Sequence, residues 1–355
     1  MSDYYRFLKA CRRQPVDCTP VWLMRQAGRY LKEYSKIRSK ATFLTMCKTP
    51  ELAAEVTILP VDKLGVDAAI LFSDILLPLE AMGIDLEFVE GKGPIIHNPI
   101  RDRLSVDALS VMYPEEEVPF VMETIRMVRR HLEGRVPLIG FSGAPFTLAS
   151  YLVEGGHSRN YIYTKSMMFQ EPSTYHALMD KLTKVVTSYL NAQIRAGVQA
   201  IQIFDTWVEC LSPGDYREYV MPYTKRVIDG LNRQASDEYP MDLKDVPLIH
   251  YARGGAMLLE SMKEAGGDVI GIDWRIDLDI AWERLGYDVA IQGNLDPTVL
   301  FAPPEEIERR VKDILNRAGN RPGHIFNLGH GVLPQTPVEH VIFMVEAVHE
   351  YSKRL

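Results

Sequence analysis

Eight short apolar runs separated by amphipathic stretches constrain this chain more than any other feature of it. The runs are Pro20–Met24, Ala68–Phe72, Pro137–Phe141, Ala200–Phe204, Pro247–Tyr251, Asp268–Ile272, Asp288–Gln292 and Gly323–Asn327. Short apolar runs without strict alternation suit strands covered on both faces, as in a parallel sheet. Between them lie helical patterns, among them Pro50–Leu64, Glu115–Leu132, Ser173–Arg195, Tyr216–Leu231, Met257–Glu264, Glu305–Arg317 and Val338–Tyr351. Such alternation implies βα units, and eight of them imply a closed (β/α)8 TIM barrel more readily than an open α/β sheet. A chain of 355 residues accommodates that barrel with insertions. No Pro/Gly/Ser-rich linker divides it, so one domain over residues 1–355 is expected.

Glycine marks the joints between units. Leu64-Gly65-Val66-Asp67, Ala196-Gly197-Val198-Gln199, Ala265-Gly266-Gly267-Asp268 and Leu285-Gly286-Tyr287-Asp288 each set glycine between a helical pattern and the next apolar run. Glycine takes the left-handed conformation that stops a helix, so this weak repeat is a fold signal. Each run then ends in polar residues: Arg25, Ser73-Asp74, Ser142-Gly143, Asp205-Thr206, Arg253-Gly254, Asp273-Trp274, Gly293-Asn294 and Gly329-His330. In barrels the chemistry sits at that end. Three segments exceed a plain barrel. Ile84–Pro99 alternates around Glu90-Gly91-Lys92-Gly93-Pro94 and reads as an inserted hairpin; Tyr151–Tyr163, with Gly155-Gly156, reads as a mobile flap over the mouth; Ser236–Val246 reads as a polar connection on the far side.

The first run carries the most distinctive chemistry. It continues into Arg25-Gln26-Ala27-Gly28-Arg29-Tyr30, two arginines separated by a glycine able to turn the backbone. Two permanently charged forks at the end of a buried strand suit carboxylate or phosphate binding, because guanidinium matches those groups bidentately. The alternative is that both arginines pair with acidic residues of neighbouring loops. Asp74 reaches the same mouth; a carboxylate there is costly to bury unless it is paired. It either forms a salt bridge to Arg25 or Arg29, or reads hydrogen-bond donors and developing positive charge on a ligand. Tyr151, beyond the helical segment Pro145–Ser150, brings a phenol within reach of the mouth, Thr206 follows the run Ala200–Phe204, and His330 is flanked by glycines at a strand end. Each also has a plain structural explanation, as a buried hydroxyl, a helix start or a hydrogen-bonded histidine.

Composition and absences narrow the chemistry. A net charge of −7 argues against a nucleic-acid surface, so an anionic ligand must be captured by local arginines. Cys11, Cys18, Cys47 and Cys210 are scattered, which suits neither a disulfide framework nor a zinc ribbon. Met1–Arg13 lacks the apolar core of a secretory signal and no run is long enough to span a bilayer, so a cytoplasmic protein without membrane partners is expected. No lysine stands in the strand-end motifs, no His-x-His closes the first run, and neither a Walker loop nor a dinucleotide fingerprint follows a strand. No metal and no organic cofactor is expected.

Assembled, these residues resemble the uroporphyrinogen decarboxylase family over almost the whole chain. The likeness rests on Pro20-Val-Trp-Leu-Met-Arg-Gln-Ala-Gly-Arg-Tyr30, which is close to diagnostic, and on Phe72-Ser-Asp-Ile-Leu76, Gly143-Ala-Pro-Phe-Thr147, Tyr151-Leu-Val-Glu-Gly-Gly156, Ile203-Phe-Asp-Thr206, Gln292-Gly-Asn-Leu-Asp-Pro297 and Phe326-Asn-Leu-Gly-His-Gly331. The resemblance implies a homodimeric, cofactor-free barrel that removes four acetate carboxyls from uroporphyrinogen III as carbon dioxide, giving coproporphyrinogen III. It implies that Arg25 and Arg29 face substrate carboxylates, with Gln26, Ala27 and Gly28 as the wall between them. Asp74 would bind the pyrrole NH groups, Tyr151, Thr206 and His330 would line the pocket, and Arg25 would be the group best placed for the proton that replaces carbon dioxide. The family more often has serine where Thr206 stands, which keeps the hydroxyl and adds a methyl. Two rivals are a cobamide-dependent methyltransferase on the same barrel and a non-catalytic porphyrin carrier. The first would need a cysteine near histidine in the final third of the chain, and no cysteine follows Cys210.

Overall fold

Seven of the eight apolar runs pair into one curled parallel sheet in this computed structural model, which describes residues 5–89, 91–234 and 245–354. The strands are β1 (Ala69–Ile70), β2 (Leu86–Val89), β3 (Gly93–Ile96), β4 (Leu138–Gly143), β5 (Ala200–Asp205), β6 (Leu248–Ala252), β7 (Val269–Gly271), β8 (Ala290–Gln292) and β9 (His324–Ile325). The parallel sheet runs β1-β4-β5-β6-β7-β8-β9, while β2 and β3 form a separate antiparallel pair. Helices follow the expected periods. Pro50–Leu64 and Val338–Tyr351 keep their predicted bounds, and Ser173–Arg195 lengthens to Pro172–Ala196. Glu115–Leu132 divides into Pro114–Glu117 and Pro119–His131, because Pro119 has no N–H to continue the first helix and is well placed to open the second. Gly65 and Gly197 end their helices at φ 70° and 110°, where an L side chain would be strained.

The first run departs from expectation. Pro20–Met24 makes only an isolated parallel bridge, Val21 with Phe326. Trp22 N–H donates to the Phe326 carbonyl (3.3 Å) and Phe326 N–H to the Pro20 carbonyl (2.8 Å), so one edge is paired as in a strand. The Phe326 edge is extended by Met24 N–H, which donates to Asn327 Oδ1 (3.1 Å). On the other edge one backbone bond, Asp67 N–H to the Val21 carbonyl (2.7 Å), is completed by side chains: Val21 N–H donates to Asp67 Oδ2 (2.7 Å) and Leu23 N–H to Gln26 Oε1 (3.1 Å). Every buried backbone donor needs a partner, and side-chain acceptors satisfy these without a second strand.

Two apolar cores follow from the alternation of side chains along the strands. The inner one gathers Ala68, Ile139, Ala200, Ile249, Val269, Ala290 and Ile325 with Trp22 and Met24, and helix Arg6–Cys11 adds Phe7, Leu8, Ala10 and Cys11. The outer one lies between the sheet and its helices. A polar chain crosses the inner core: Trp22 Nε1–H donates to Gln292 Oε1 (2.9 Å) and Gln292 Nε2–H to Gln202 Oε1 (3.0 Å). These bonds offset the cost of burying Gln292 and the Gln202 carbonyl, while Gln202 Nε2 is left without a partner among the described residues.

The segment Tyr151–Tyr163 is not a free flap. Tyr151 lies inside helix Pro145–Glu154, which stops at Gly155 (φ 87°), and Gly156 then bridges Ile95 of the β2–β3 pair. Ile96 N–H also donates to the Gly155 carbonyl (2.9 Å). The additions after β1 and β4 therefore brace each other. Of the predicted connection Ser236–Val246, residues up to 244 lie outside the described residues, as do Glu90 and the first four residues of Met1–Arg13. No helix among the described residues is long and apolar enough to cross a membrane.

Candidate active site

The mouth is built where the irregular first segment meets the ends of β1 and β9. Arg25 takes φ 59°, a left-handed conformation that is uncommon for any residue but glycine. Gly28, expected to make the turn, does not have a positive φ; a methyl on it would lie 3.3 Å from the Arg25 carbonyl and 3.5 Å from the Tyr30 ring. The turn thus falls on Arg25 itself and throws its side chain outward, where it is exposed. Non-glycine residues held in this region cluster at functional sites, where the surrounding structure over-determines them. The clamp here is visible. Gln26 is 1% exposed, its amide bonding Leu23 N–H and the Ala68 carbonyl (3.2 Å), and Tyr30 OH donates to the Gln26 carbonyl (2.5 Å). The Gln26 side chain is thus spent on the scaffold, while Ala27 and Gly28 remain half-buried.

Asp74 follows β1 and is half-buried. Its Oδ1 accepts from Leu76 N–H (2.8 Å), and no arginine or lysine among the described residues lies within ion-pair distance. The salt-bridge alternative is therefore not what holds it. Burial pushes its carboxyl up to about 6, against the pull of the Leu76 N–H and the Arg25 guanidinium. It stays mostly ionised at neutral pH while being readily protonated below it. Tyr151 joins the same group. Burial raises its phenol to about 12, with the Asp74 carboxylate adding and Arg25 opposing, and its ring meets Trp207 edge-on at 5.6 Å.

His330 reaches the mouth from beyond β9 and is half-buried. Its flanking glycines have a packing cause. A methyl on Gly329 would fall 2.6 Å from the Trp274 nitrogen, and one on Gly331 would fall 2.4 Å from Arg25 Cδ. His330 thus rides on a backbone squeezed between Trp274 and the Arg25 side chain. Burial first, then the positive charge of Arg25, Arg253 and Arg275, brings its imidazole down to about 4. At neutral pH it is an uncharged ring.

The structure brings Arg25, Asp74, Tyr151 and His330 together. Arg29 is exposed, and its described interactions are with Tyr34 and, through its carbonyl, with Ser35 Oγ (3.2 Å). Thr206, half-buried next to Trp207, is placed beside Tyr151 only through that neighbour. Sequence reasoning missed Trp207, Gly331, Arg253 and Arg275 as parts of this mouth. The strand-end motifs Arg253-Gly254 and Asp273-Trp274 pointed to the last two, but nothing local said that they would share one histidine.

This geometry defines a mixed α/β protein with a curled parallel sheet and a cation-lined mouth at the C-terminal ends of its strands. Comparison with solved structures gives the same class. A methyltransferase from Methanosarcina mazei superposes with a TM-score of 0.81 at 22% identity, covering 99% of each chain. A B12-independent methionine synthase from a Shewanella species gives 0.55 at 10% identity over 85% of this chain and 88% of that one. At such identities the likeness is one of fold alone.

The sequence goes further. The pattern of the family described as "Uroporphyrinogen decarboxylase (URO-D)" matches residues 3–351. Uroporphyrinogen decarboxylase of Carboxydothermus hydrogenoformans is 57% identical over 346 residues, 98% of this chain and 96% of that protein. That of Geobacter sulfurreducens is 58% identical over 349 residues, 98% of this chain and 99% of that protein. The chain belongs to the uroporphyrinogen decarboxylase family.

Proposed function

We infer that this chain is a carboxy-lyase of tetrapyrrole biosynthesis that converts uroporphyrinogen III to coproporphyrinogen III, releasing four molecules of carbon dioxide. Among features of the site, the one that carries this reading is an unpaired aspartate in an arginine-lined mouth. A substrate with eight carboxylates needs guanidinium groups, and a macrocycle with four inward NH donors gives Asp74 the partner it lacks in the free protein.

The roles of the side chains follow. Asp74 accepts hydrogen bonds from the pyrrole NH groups through the carboxylate edge that Leu76 N–H leaves open. Arg25 and Arg29 hold substrate carboxylates, with Ala27, Gly28 and the backbone of Gln26 as the wall between them. Tyr151, Thr206 and His330 line the pocket. Protonation of a pyrrole ring carbon makes that ring an electron sink. The bond to the acetate carboxyl then breaks, its electron pair enters the ring, carbon dioxide leaves, protonation of the resulting methylene gives a methyl group, and loss of the proton first added to the ring carbon restores the pyrrole, so that one proton is consumed for each carbon dioxide released. Asp74 stabilises the cation formed in the first step more than the neutral ring before it, and that difference lowers the barrier. Arg25, whose charge acts on both Asp74 and His330, is the group proposed to guide the incoming proton.

The remaining features belong to the same proposal: a single (β/α)8 barrel domain closed by the Val21 segment between β9 and β1, with the β2–β3 hairpin inserted, a homodimer in the cytoplasm, and turnover without metal or organic cofactor. Anaerobic incubation with uroporphyrinogen III, followed by chromatography, tests the activity. Conversion to the four-carboxyl product is expected and should survive dialysis against chelator. Intact substrate despite tight binding would make the chain a carrier, and activity lost to chelator and restored by zinc would overturn the cofactor-free mechanism. Sedimentation at micromolar concentration tests the dimer.

A further inference from the structure

Three guanidinium groups surround His330, and only one of them belongs to the motif that holds Asp74. Arg25 acts electrostatically on both Asp74 and His330, and Arg253 and Arg275 act on His330. Arg253 and Arg275 lie beyond the ends of β6 and β7, and Gly329, next to His330, packs against Asp273 and Trp274, the two residues before Arg275. Both arginines are built in. Arg253 follows β6 and pairs through Nη2 with Glu209 Oε1 at 3.3 Å; Arg275 follows β7, pairs through Nη1 with Asp273, and lies over the Trp274 ring at 4.5 Å. Asp273 is 2% exposed and also accepts from Gly254 N–H (2.8 Å) and Arg275 N–H (3.1 Å), so it ties the two strand ends together. The arginine side chains stay accessible, at 29% and 39% exposure.

We propose that Arg253 and Arg275 form a second anion subsite, which grips propionate carboxylates at the edge of the macrocycle and sets its position over Asp74. This deepens the decarboxylase reading and rests on it. Each guanidinium has five donors and spends one or two on its anchoring carboxylate, leaving others for a ligand. Arg253 and Arg275 balance Glu209 and Asp273 in charge, so the grip on an added anion rests on these remaining donors and on their exposure. Anchored, preorganised arginines suit a carboxylate that must be held unchanged. The acetates are consumed in the reaction and the four propionates are not, so a grip that is re-formed each time another ring is turned to the reacting position has to be on propionate. With Asp74 under the centre of the macrocycle and Arg25 beside the reacting acetate, the ends of β6 and β7 are where the rest of that periphery falls.

The test compares ligands with and without acetates. In Arg253→Gln/Arg275→Gln, the KM for uroporphyrinogen III and the inhibition constant of coproporphyrinogen III, which has propionates only, should both rise about tenfold or more, with kcat within about threefold. Arg253→Lys/Arg275→Lys, which keeps the charge and loses the fork, should recover most of the affinity; if the double glutamine variant does not fold, Arg275→Gln alone should weaken both ligands by about threefold. A higher KM with an unchanged inhibition constant would assign these arginines to acetates and overturn the proposal. So would unchanged constants for both ligands. Failure of the parent protein to decarboxylate at all would instead count against the activity itself.

Discussion

The two sides of the mouth treat charge in opposite ways. On one side Asp74 and Arg25 approach each other without an ion pair, the carboxyl raised to about 6 and the arginine held in a left-handed turn. On the other, Arg253 and Arg275 are matched to Glu209 and Asp273. A matched pair is already solvated by its partner and changes little when ligand arrives. An unmatched charge in a partly buried place is costly until the ligand completes it, and the completion can be tuned to a transition state rather than to a ground state. The unmatched side is accordingly where chemistry is expected, and the matched side where position is set.

Arg25→Ala should break this contrast most severely. Removing the cation common to Asp74 and His330 is expected to lower kcat on the order of 10³-fold, the upper end of the loss for a single electrostatic group. Asp74→Asn keeps size and one acceptor but deletes the charge. Turnover should fall on the order of 10²-fold while substrate binding falls less. A folded Asp74→Asn variant within a few-fold of the parent would reduce Asp74 to a structural residue and leave the mechanism without its centre. Gly331→Ala tests the same side indirectly. Its methyl would overlap Arg25 Cδ and Cγ, at 2.4 and 2.6 Å, so the arginine must shift; a roughly tenfold loss in kcat with little change in melting temperature is expected. Arg29→Ala, at an exposed site away from the cluster, should mainly raise KM, by about fivefold, with kcat retained. Equal effects of Arg25→Ala and Arg29→Ala on both constants would erase the distinction between them.

Much of this was legible in the chain because it is local. Seven strands and their helices follow from runs and periods, and Gly65 and Gly197 stop helices for a reason that residue type alone supplies. Arg25 and Asp74 were readable because a charge at the end of an apolar run has few uses. What escaped depends on contacts between distant segments. Pro20–Met24 has the composition of a strand, yet the side chains of Asp67 and Gln26 on one edge and of Asn327 on the other take its N–H groups, and no local pattern announces that substitution. Gly28 looked like the turn residue, but the clamp on Gln26 moves the left-handed conformation to Arg25. Arg253 and Arg275 sit at strand ends with nothing in their neighbours to show that β6, β7 and the segment after β9 converge on one histidine.

His330→Asn should have the smallest effect on turnover, about two- to threefold, and its sharper consequence lies in stability against pH. The His330 imidazole is brought from 6.5 down to about 4, so between these values the unfolded chain binds a proton that the folded protein refuses. Stability from this group is present above pH 6.5 and is lost as pH falls toward 4. Asp74 has the reverse sign. Its carboxyl rises from 3.8 to about 6, so in that window the folded protein holds the extra proton, and stability is present at low pH and lost as pH rises through 6. The two variants should therefore diverge when melting is compared at pH 5 and pH 8. Asp74→Asn should gain on the parent most at pH 8, and His330→Asn most at pH 5, each by on the order of 1 kcal/mol once partial exposure is allowed for. Parallel shifts of both variants across this range would mean that the two groups do not experience the mouth as opposite charges do, and the contrast between a site poised for a cation and a ring kept neutral by arginines would have lost its electrostatic basis.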